Sequence, residues 1–277
     1  MTAQRFDYRR LFDLSGKTAL VTGAAGIIGT EVCHGLAAHG ARLAIVDQRS
    51  DAAQALAEGI ADAHGVDAIA IATDVGDPEQ VKAMVETACA RLGGIDILHN
   101  NAAGKGEDLA AFFSAPEKLP FQTWRDVMRV NLDGMFLVAQ AVGRHMIERS
   151  RGGSIVQTGS IYGLVAPDPG LYEGSLYLGH RINTPAAYAA SKGGVVALSR
   201  YLAAYWAPHG IRVNTLVPGG VESGQNDVFQ RAYARRTPMG RMARREEMVG
   251  AVVYLASDAA SYVTGQVLAV DGGWTAW

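Results

Sequence analysis

Cysteine is scarce in this chain: Cys33 and Cys89 are the only two among 277 residues. Two thiols make no disulfide framework, so buried free cysteines in a reducing compartment are expected. The seven histidines, at positions 34, 39, 64, 99, 145, 180 and 209, show no metal-ligand spacing with cysteine or acidic partners. No metal is expected. Apolar runs long enough to span a bilayer are missing, and the stretch Met1 to Arg10 is polar and charged, without the apolar core of a signal peptide. A soluble, cytoplasmic protein with no membrane partner is the expectation. Neither sign of charge dominates, since 25 Lys and Arg face 27 Asp and Glu for a net charge of -2. That balance removes the electrostatic case for nucleic acid or an anionic membrane surface. Linkers, repeats and low-complexity stretches are also lacking, and residues 1–277 read as a single domain behind a surface-lying lead-in, 1–13.

Apolar residues and glycine are plentiful. Hydrophobic residues make up 49% of the chain and glycines number 33, which describes a sizeable core joined by tight turns. Thr18 to Thr22 is a short apolar strand that runs into Gly23-Ala24-Ala25-Gly26-Ile27-Ile28-Gly29, and an amphipathic helix follows through Val32, Leu36 and Ala37. Strand, glycine turn and helix form the context a dinucleotide site needs, because glycine lets a pyrophosphate approach the backbone and the helix N-terminus. A second strand, Arg42 to Val46, ends in Asp47, 18 residues after Gly29. A carboxylate there accepts hydrogen bonds from a ribose 2′-hydroxyl and repels a 2′-phosphate. NAD is therefore expected over NADP, with Ala24, Ala25 and Gln48 standing where a phosphate would want a base and Arg49 expected to face solvent.

The alternation continues. Strands are expected at Ala68–Thr73, Ile95–His99, Ser154–Thr158, Arg212–Val217 and Gln266–Val270, and helices at Pro78–Leu92, Trp124–Val142 and Glu246–Ser257. Strands alternating with helices imply an α/β fold: a doubly wound parallel sheet covered on both faces, with ligands beyond the carboxyl ends of the strands. Gly23, Asp47, Asp74, Asn100, Ser160 and Pro218 all fall at such ends.

The most chemical stretch is Tyr188-Ala189-Ala190-Ser191-Lys192, opening a helix expected from Tyr188 to Trp206. Residues four apart share a helix face, which brings the phenol and the ammonium together. A cation beside a phenol lowers its pKa and suits it to acid/base chemistry. The competing reading is an interfacial tyrosine beside a snorkelling lysine.

Taken in order, Thr22 to Gly29, Asp74-Val75, Asn100-Asn101-Ala102, Asn131, Ser160, Tyr188 with Lys192, Pro218-Gly219 and Asp271-Gly272-Gly273 resemble the short-chain dehydrogenase/reductase family from about Leu14 to Trp274. The resemblance implies a seven-stranded Rossmann-like sheet, a nicotinamide cofactor and a homo-oligomer, tetramer or dimer. It casts Tyr188 as general acid/base and Lys192 as the residue that lowers the Tyr188 pKa and holds the nicotinamide ribose. Ser160 would hydrogen-bond the substrate oxygen, and Asn131 would keep a helix kink that holds a water of the proton relay. For the cofactor it implies Gly23, Ala25, Gly26, Ile27, Ile28, Asp47, Asp74, Val75, Asn101, Ala102, Ala103, Pro218, Gly219 and Val221, together with Tyr188 and Lys192.

Three departures stand out. Gly23, Gly26 and Gly29 are evenly spaced, unlike the family's short-branch Thr-Gly-x-x-x-Gly-x-Gly and closer to the longer epimerases and dehydratases, whose extra C-terminal region is absent here. Ala103 replaces a common glycine. Ser160 and Tyr188 are 28 residues apart, about twice the usual spacing, which makes Ser175 the fallback serine. The surplus, 165–183, carries Pro167, Asp168, Tyr172, Glu173, Tyr177, His180 and Arg181. Lying between two catalytic positions, it is expected to border the substrate, and its polar and aromatic side chains suit a sugar, sugar derivative or polyol oxidised at a secondary alcohol. A surface or subunit-contact loop is the alternative. Residues 222–243 resemble the family's mobile substrate-binding segment, with Arg231, Arg235 and Arg236 expected to face water. The tail, with Trp274 and Trp277, is expected to seek a subunit interface. Reduction of a 3-oxoacyl thioester, as on an acyl carrier protein, and a non-catalytic NAD(H) sensor or scaffold are the competing functions.

Overall fold

A computed structural model describes residues 7–277, and the first part of the lead-in lies outside the described residues. In chain order the strands are β1 (Thr18–Thr22), β2 (Arg42–Asp47), β3 (Ala68–Ala72), β4 (Ile97–Asn100), β5 (Gly153–Thr158), the two-residue pair β6 (Leu176–Tyr177) and β7 (His180–Arg181), β8 (Ile211–Pro218) and β9 (Val267–Val270). Seven of them form one parallel sheet in the order β3-β2-β1-β4-β5-β8-β9, while β6 and β7 pair apart as an antiparallel hairpin. The helices are α1 (Ile27–Ala38), α2 (Ser50–His64), α3 (Pro78–Leu92), α4 (Leu109–Phe112), α5 (Phe121–Met128), α6 (Gly134–Arg149), α7 (Ala186–Trp206), α8 (Asp227–Arg236) and α9 (Val249–Ala256).

The central strands are apolar on both sides because both sides are covered. Leu20, Leu98, Ile155 and Val213 face α3, α6 and α7, where Met84, Val138, Val142 and Leu202 meet them. Ala19, Val21, Ile97, Val156 and Leu216 face α1, α2 and α9, packing on Val32, Leu36, Ile60 and Val252. The strand order reverses between β1 and β4, which leaves a crevice above their carboxyl ends. Side chains tie this crevice together: Thr22 Oγ1 donates to Asn100 Oδ1 at 3.1 Å and accepts from Asn101 N at 2.9 Å.

The fold class and all seven main strands agree with the sequence reading; the differences are local. The helix expected over Trp124–Val142 is two helices joined by a π turn, Arg129–Asp133. The final helix is preceded by a 3-10 turn at Arg245–Met248. Helix α2, with Ala53, Ala57 and Ile60 buried at helical spacing, was not expected. Cys33 is buried, but Cys89 is only half-buried, its sulfur 3.4 Å from His145 Nδ1. Trp274 does not await a partner: it is 4% exposed and stacks on Tyr233 of the same chain at 4.4 Å, leaving only Trp277 exposed. Among the described residues, no helix is long and apolar enough to cross a membrane.

Candidate active site

A cavity of about 660 Å³ opens above the carboxyl edge of the sheet. Its nucleotide-like half is built by the glycine turn. A Cβ at Gly29 would stand 2.3 Å from Gly23 O and 2.7 Å from Ala24 O, so only glycine lets the first turn of α1 press against the loop. That close packing aims the N-terminus of α1 into the crevice, where its free N–H groups favour an anion. Gly23, Gly26, Ile27, Ile28, Asp47, Asp74, Val75, Asn101, Ala102, Ala103, Pro218, Gly219 and Val221 all line the cavity, as do Ser160, Tyr188 and Lys192. Ala25 does not line it. It acts through its backbone, donating its N–H to Asp47 Oδ2 at 3.1 Å.

Arg49 is exposed as expected, its side chain 57% accessible, but it is also tethered. Rather than simply facing water, its Nε lies 3.1 Å from Asp47 Oδ1 and its Nη2 donates to Ala25 O at 2.8 Å. The guanidinium thus closes a ring between the end of β2 and the glycine turn. Asp47 itself is buried, with its carboxylate also accepting from the Arg49 N–H. A carboxylate so neutralised rejects a 2′-phosphate less strongly than a bare one.

The reactive half comes from β5, the π turn and α7. Ser160 follows the end of β5, and the next turn, Ile161–Gly163, packs against α7: a Cβ at Gly163 would stand 2.7 Å from the Lys192 backbone. This close approach brings Ser160 to the cavity beside Tyr188, where its hydroxyl favours the charged form of the phenol. Ser175 is buried outside the cavity, donating to Leu171 O, so of the two serines it is Ser160 that lines it. Lys192 is 2% exposed; its Nζ donates to Thr158 O at 2.8 Å and lies 5.8 Å from the Tyr188 ring centroid. Asn131 sits in the π turn, fully buried and behind the cavity wall. Its Oδ1 accepts from Gly104 N at 2.7 Å, while its Nδ2 has no partner among the described residues. A π turn displaces one residue from helical register, which is how a polar side chain is turned inward from a continuous helix.

The electrostatics reverse one expectation. Burial pushes the Tyr188 phenol above its ordinary pKa, and the Ser160 hydroxyl only partly offsets this. Burial works on Lys192 as well, lowering it to about 8. The ammonium is committed to the Thr158 carbonyl rather than to the phenol.

The 165–183 insertion folds as a 3-10 turn, Pro169–Tyr172, followed by the β6–β7 hairpin, and it does border the cavity through Tyr172, Tyr177 and Ile182. Its ring Tyr172 packs on Phe229 of α8 at 5.8 Å, and Asp168 pairs with Arg236 at 3.9 Å. From the 222–243 segment, Ser223, Gln225 and Phe229 reach the cavity, whereas Arg231, Arg235 and Arg236 do not. Sequence reasoning passed over Tyr162 and Thr184, which also line it. Their flanking positions, just after Ser160 and just before Tyr188, were the available signal.

A doubly wound sheet with a glycine-lined anion cradle, an acid at the end of β2 and a buried hydroxyl and amine beside a half-buried phenol at one cavity wall defines a nicotinamide-dependent oxidoreductase. The residues present fit that dinucleotide, since Gly23 and Gly26 line the cavity at the N-terminus of α1 and Asp47 lines it at the end of β2. A family model described as enoyl-(acyl carrier protein) reductase matches residues 23–275. The chain is 40% identical to a galactitol 2-dehydrogenase (L-tagatose-forming) of Cereibacter sphaeroides, over 98% of this chain and 100% of that one. Among solved structures it is similar to a short-chain type dehydrogenase/reductase from Mycobacterium marinum, with 36% identity, a TM-score of 0.86 and coverage of 98% and 99% of the two chains. A gluconate 5-dehydrogenase from Burkholderia cenocepacia, solved with NADP and tartrate, gives 37% identity, a TM-score of 0.85 and coverage of 97% and 98%. The chain belongs to the short-chain dehydrogenase/reductase family.

Proposed function

We propose that this protein interconverts a secondary alcohol and a ketone on a sugar, sugar derivative or polyol, using NAD(H). The observation that carries this reading is the single cavity holding Ser160, Tyr188 and Lys192 together with the glycine turn and Asp47. When bound, the nicotinamide accepts or supplies the hydride. Tyr188 exchanges the proton with the substrate oxygen, Ser160 donates a hydrogen bond to that oxygen, and Lys192 holds the cofactor ribose. Asn131 presents its free amide behind them to a relay water. Ser160 and Tyr188 thus stand as hydroxyl donors where charge develops on the substrate oxygen, which is the demand of carbonyl reduction.

The polyol reading rests on the aromatic and hydroxyl side chains the insertion brings to the cavity, Tyr172 and Tyr177, and is supported by the galactitol and gluconate dehydrogenases that resemble this chain. NAD(H) is favoured by Asp47, while the Arg49 bridge leaves room for some use of NADP(H). Exposed, stacked Tyr201 and Tyr205 on α7, 5.8 Å apart, give the surface an apolar face suited to self-association. The test is steady-state oxidation of galactitol, threitol and gluconate with NAD+ or NADP+, beside reduction of a 3-oxoacyl thioester. Turnover of the polyols with NAD+ supports the proposal; turnover of the thioester alone refutes it.

A further inference from the structure

Beyond Ser160 and Tyr188, the cavity contains a second cluster of hydroxyls. The phenol oxygens of Tyr162 and Tyr172 are 2.6 Å apart, and Thr184 Oγ1 donates to the Tyr172 oxygen. All three residues line the same cavity as Tyr188. Each comes from a different segment: Tyr162 from the turn after Ser160, Tyr172 from the insertion, and Thr184 from just before α7. The insertion is therefore what completes the cluster. Tyr172 is held by its ring contact with Phe229 and by the turn at Asp168, whose Oδ1 accepts from Gly170 N at 3.0 Å.

Counting protons shows why the cluster is more than self-satisfied packing. Three hydroxyls bring three protons, and the bonds among them use two: one from Thr184 and one shared between the tyrosines. Whichever tyrosine gives the shared proton, the other keeps an O–H beyond those two bonds, and Thr184 Oγ1, which also acts on the Tyr162 phenol, is its one competitor within the cluster. If Tyr162 donates, Tyr172 retains its own; if Tyr172 donates, Tyr162 does. Burial raises the pKa of both phenols, so each remains protonated and neutral through the physiological range. The cluster is thus an uncharged donor with spare acceptor lone pairs, matched to a neutral hydroxyl. A carboxylate would instead meet Lys105, whose Nζ rests 4.0 Å over the Tyr177 ring at the same cavity.

We propose that Tyr162, Tyr172 and Thr184 form a recognition subsite for a second hydroxyl of the substrate, so that the insertion selects neutral polyols over alcohols with a single hydroxyl. This rests on the dehydrogenase reading above and specifies its substrate. Tyr172 is a specificity-determining residue and takes no part in hydride or proton transfer.

The test compares wild type, Tyr172→Phe and Thr184→Val on threitol and galactitol against 2-butanol, with NAD+ saturating. Loss of one neutral hydrogen bond is worth about tenfold, so the ratio of kcat/KM for polyol to that for 2-butanol falls by about tenfold in each variant, chiefly through KM. Thr184→Val acts from outside the insertion, so an effect shared by both variants separates the subsite from misfolding of the loop. Thermal unfolding of each variant checks the fold. A ratio preserved within about twofold in well-folded variants overturns the subsite and leaves the dehydrogenase reading standing. Wild type that oxidises 2-butanol but no polyol overturns the polyol reading, and the subsite with it.

Discussion

Replacing Lys192 by methionine should abolish activity and yet stabilise the cofactor-free protein near neutral pH. The lysine is 2% exposed, and burial lowers its pKa from 10.5 to about 8. The native state therefore releases its proton near pH 8 while the unfolded chain holds it to about 10.5. Between those values the unfolded state binds more protons, so stability rises with pH across this window and is lowest below it. A shift of this size corresponds to about 3 kcal/mol of destabilisation at pH 7. Against it stands the hydrogen bond from Nζ to Thr158 O at 2.8 Å, for which a charged donor contributes about 1.5–3 kcal/mol. The balance is a gain for Lys192→Met of about 1 kcal/mol at pH 7 that reverses to a loss of about 2 kcal/mol by pH 10, because only wild type gains stability across that window. At about 2.1 cal/mol/K per residue, a domain this long would show that gain as a rise of about 2 °C in Tm. Urea unfolding of both proteins at steps from pH 7 to 10 measures it. A wild-type stability that is flat from pH 8 to 10, or a variant less stable than wild type at pH 7, refutes the reasoning.

Two further substitutions test the nucleotide half. Gly29→Ala forces a methyl group against three backbone atoms that cannot rotate away, Gly23 O, Ala24 O and Ala24 Cα, and should destabilise by about 3 kcal/mol and abolish cofactor binding; Gly59→Ala, exposed on α2 with nothing within 4 Å, should instead stabilise by about 0.5 kcal/mol. Thermal melts of the pair read both signs. Arg49→Ala removes the cation lying on Asp47 and should raise the preference for NAD+ over NADP+ by about fivefold, as expected for a partly exposed ion pair; kcat/KM with the two cofactors checks it, and a shift toward NADP+ counts against the role given to Arg49.

The parts of this molecule that were legible in the sequence are those governed by local pattern. Parallel strands buried on both faces are short continuous apolar runs, so Leu20, Leu98, Ile155 and Val213 announced the sheet, and Gly23, Asp47 and Ser160 fell at strand ends where a doubly wound fold collects its ligands. Helical spacing put Tyr188 and Lys192 on one helix, α7, but it was the resemblance that singled them out. What was missed depends on partners distant in sequence. The kink at Asn131 came from the resemblance, whereas its form, a π turn over Arg129–Asp133, had no signal in the apolar pattern. The environment of Lys192 depends on the carbonyl of Thr158, which no spacing rule brings to it, and burial then reversed the expected direction of the Tyr188 pKa. Arg49 and Ala25 meet only through the packing of β2 against the glycine turn. Trp274 looked stranded at the chain end because its partner, Tyr233, belongs to a helix that dives back under the tail. Tyr162 and Thr184 acquired meaning only once the insertion set Tyr172 between them.

The most direct test of the central claim is formation of NADH from NAD+ and galactitol or threitol by wild type and by Tyr188→Phe. The account predicts turnover by wild type and a loss of about 10²-fold or more in kcat for the variant, with cofactor affinity kept, because one positioned proton-transfer group is removed. A variant that oxidises the polyol at the wild-type rate would contradict the assignment of Tyr188 as the acid/base and, with it, the reading of the whole cavity.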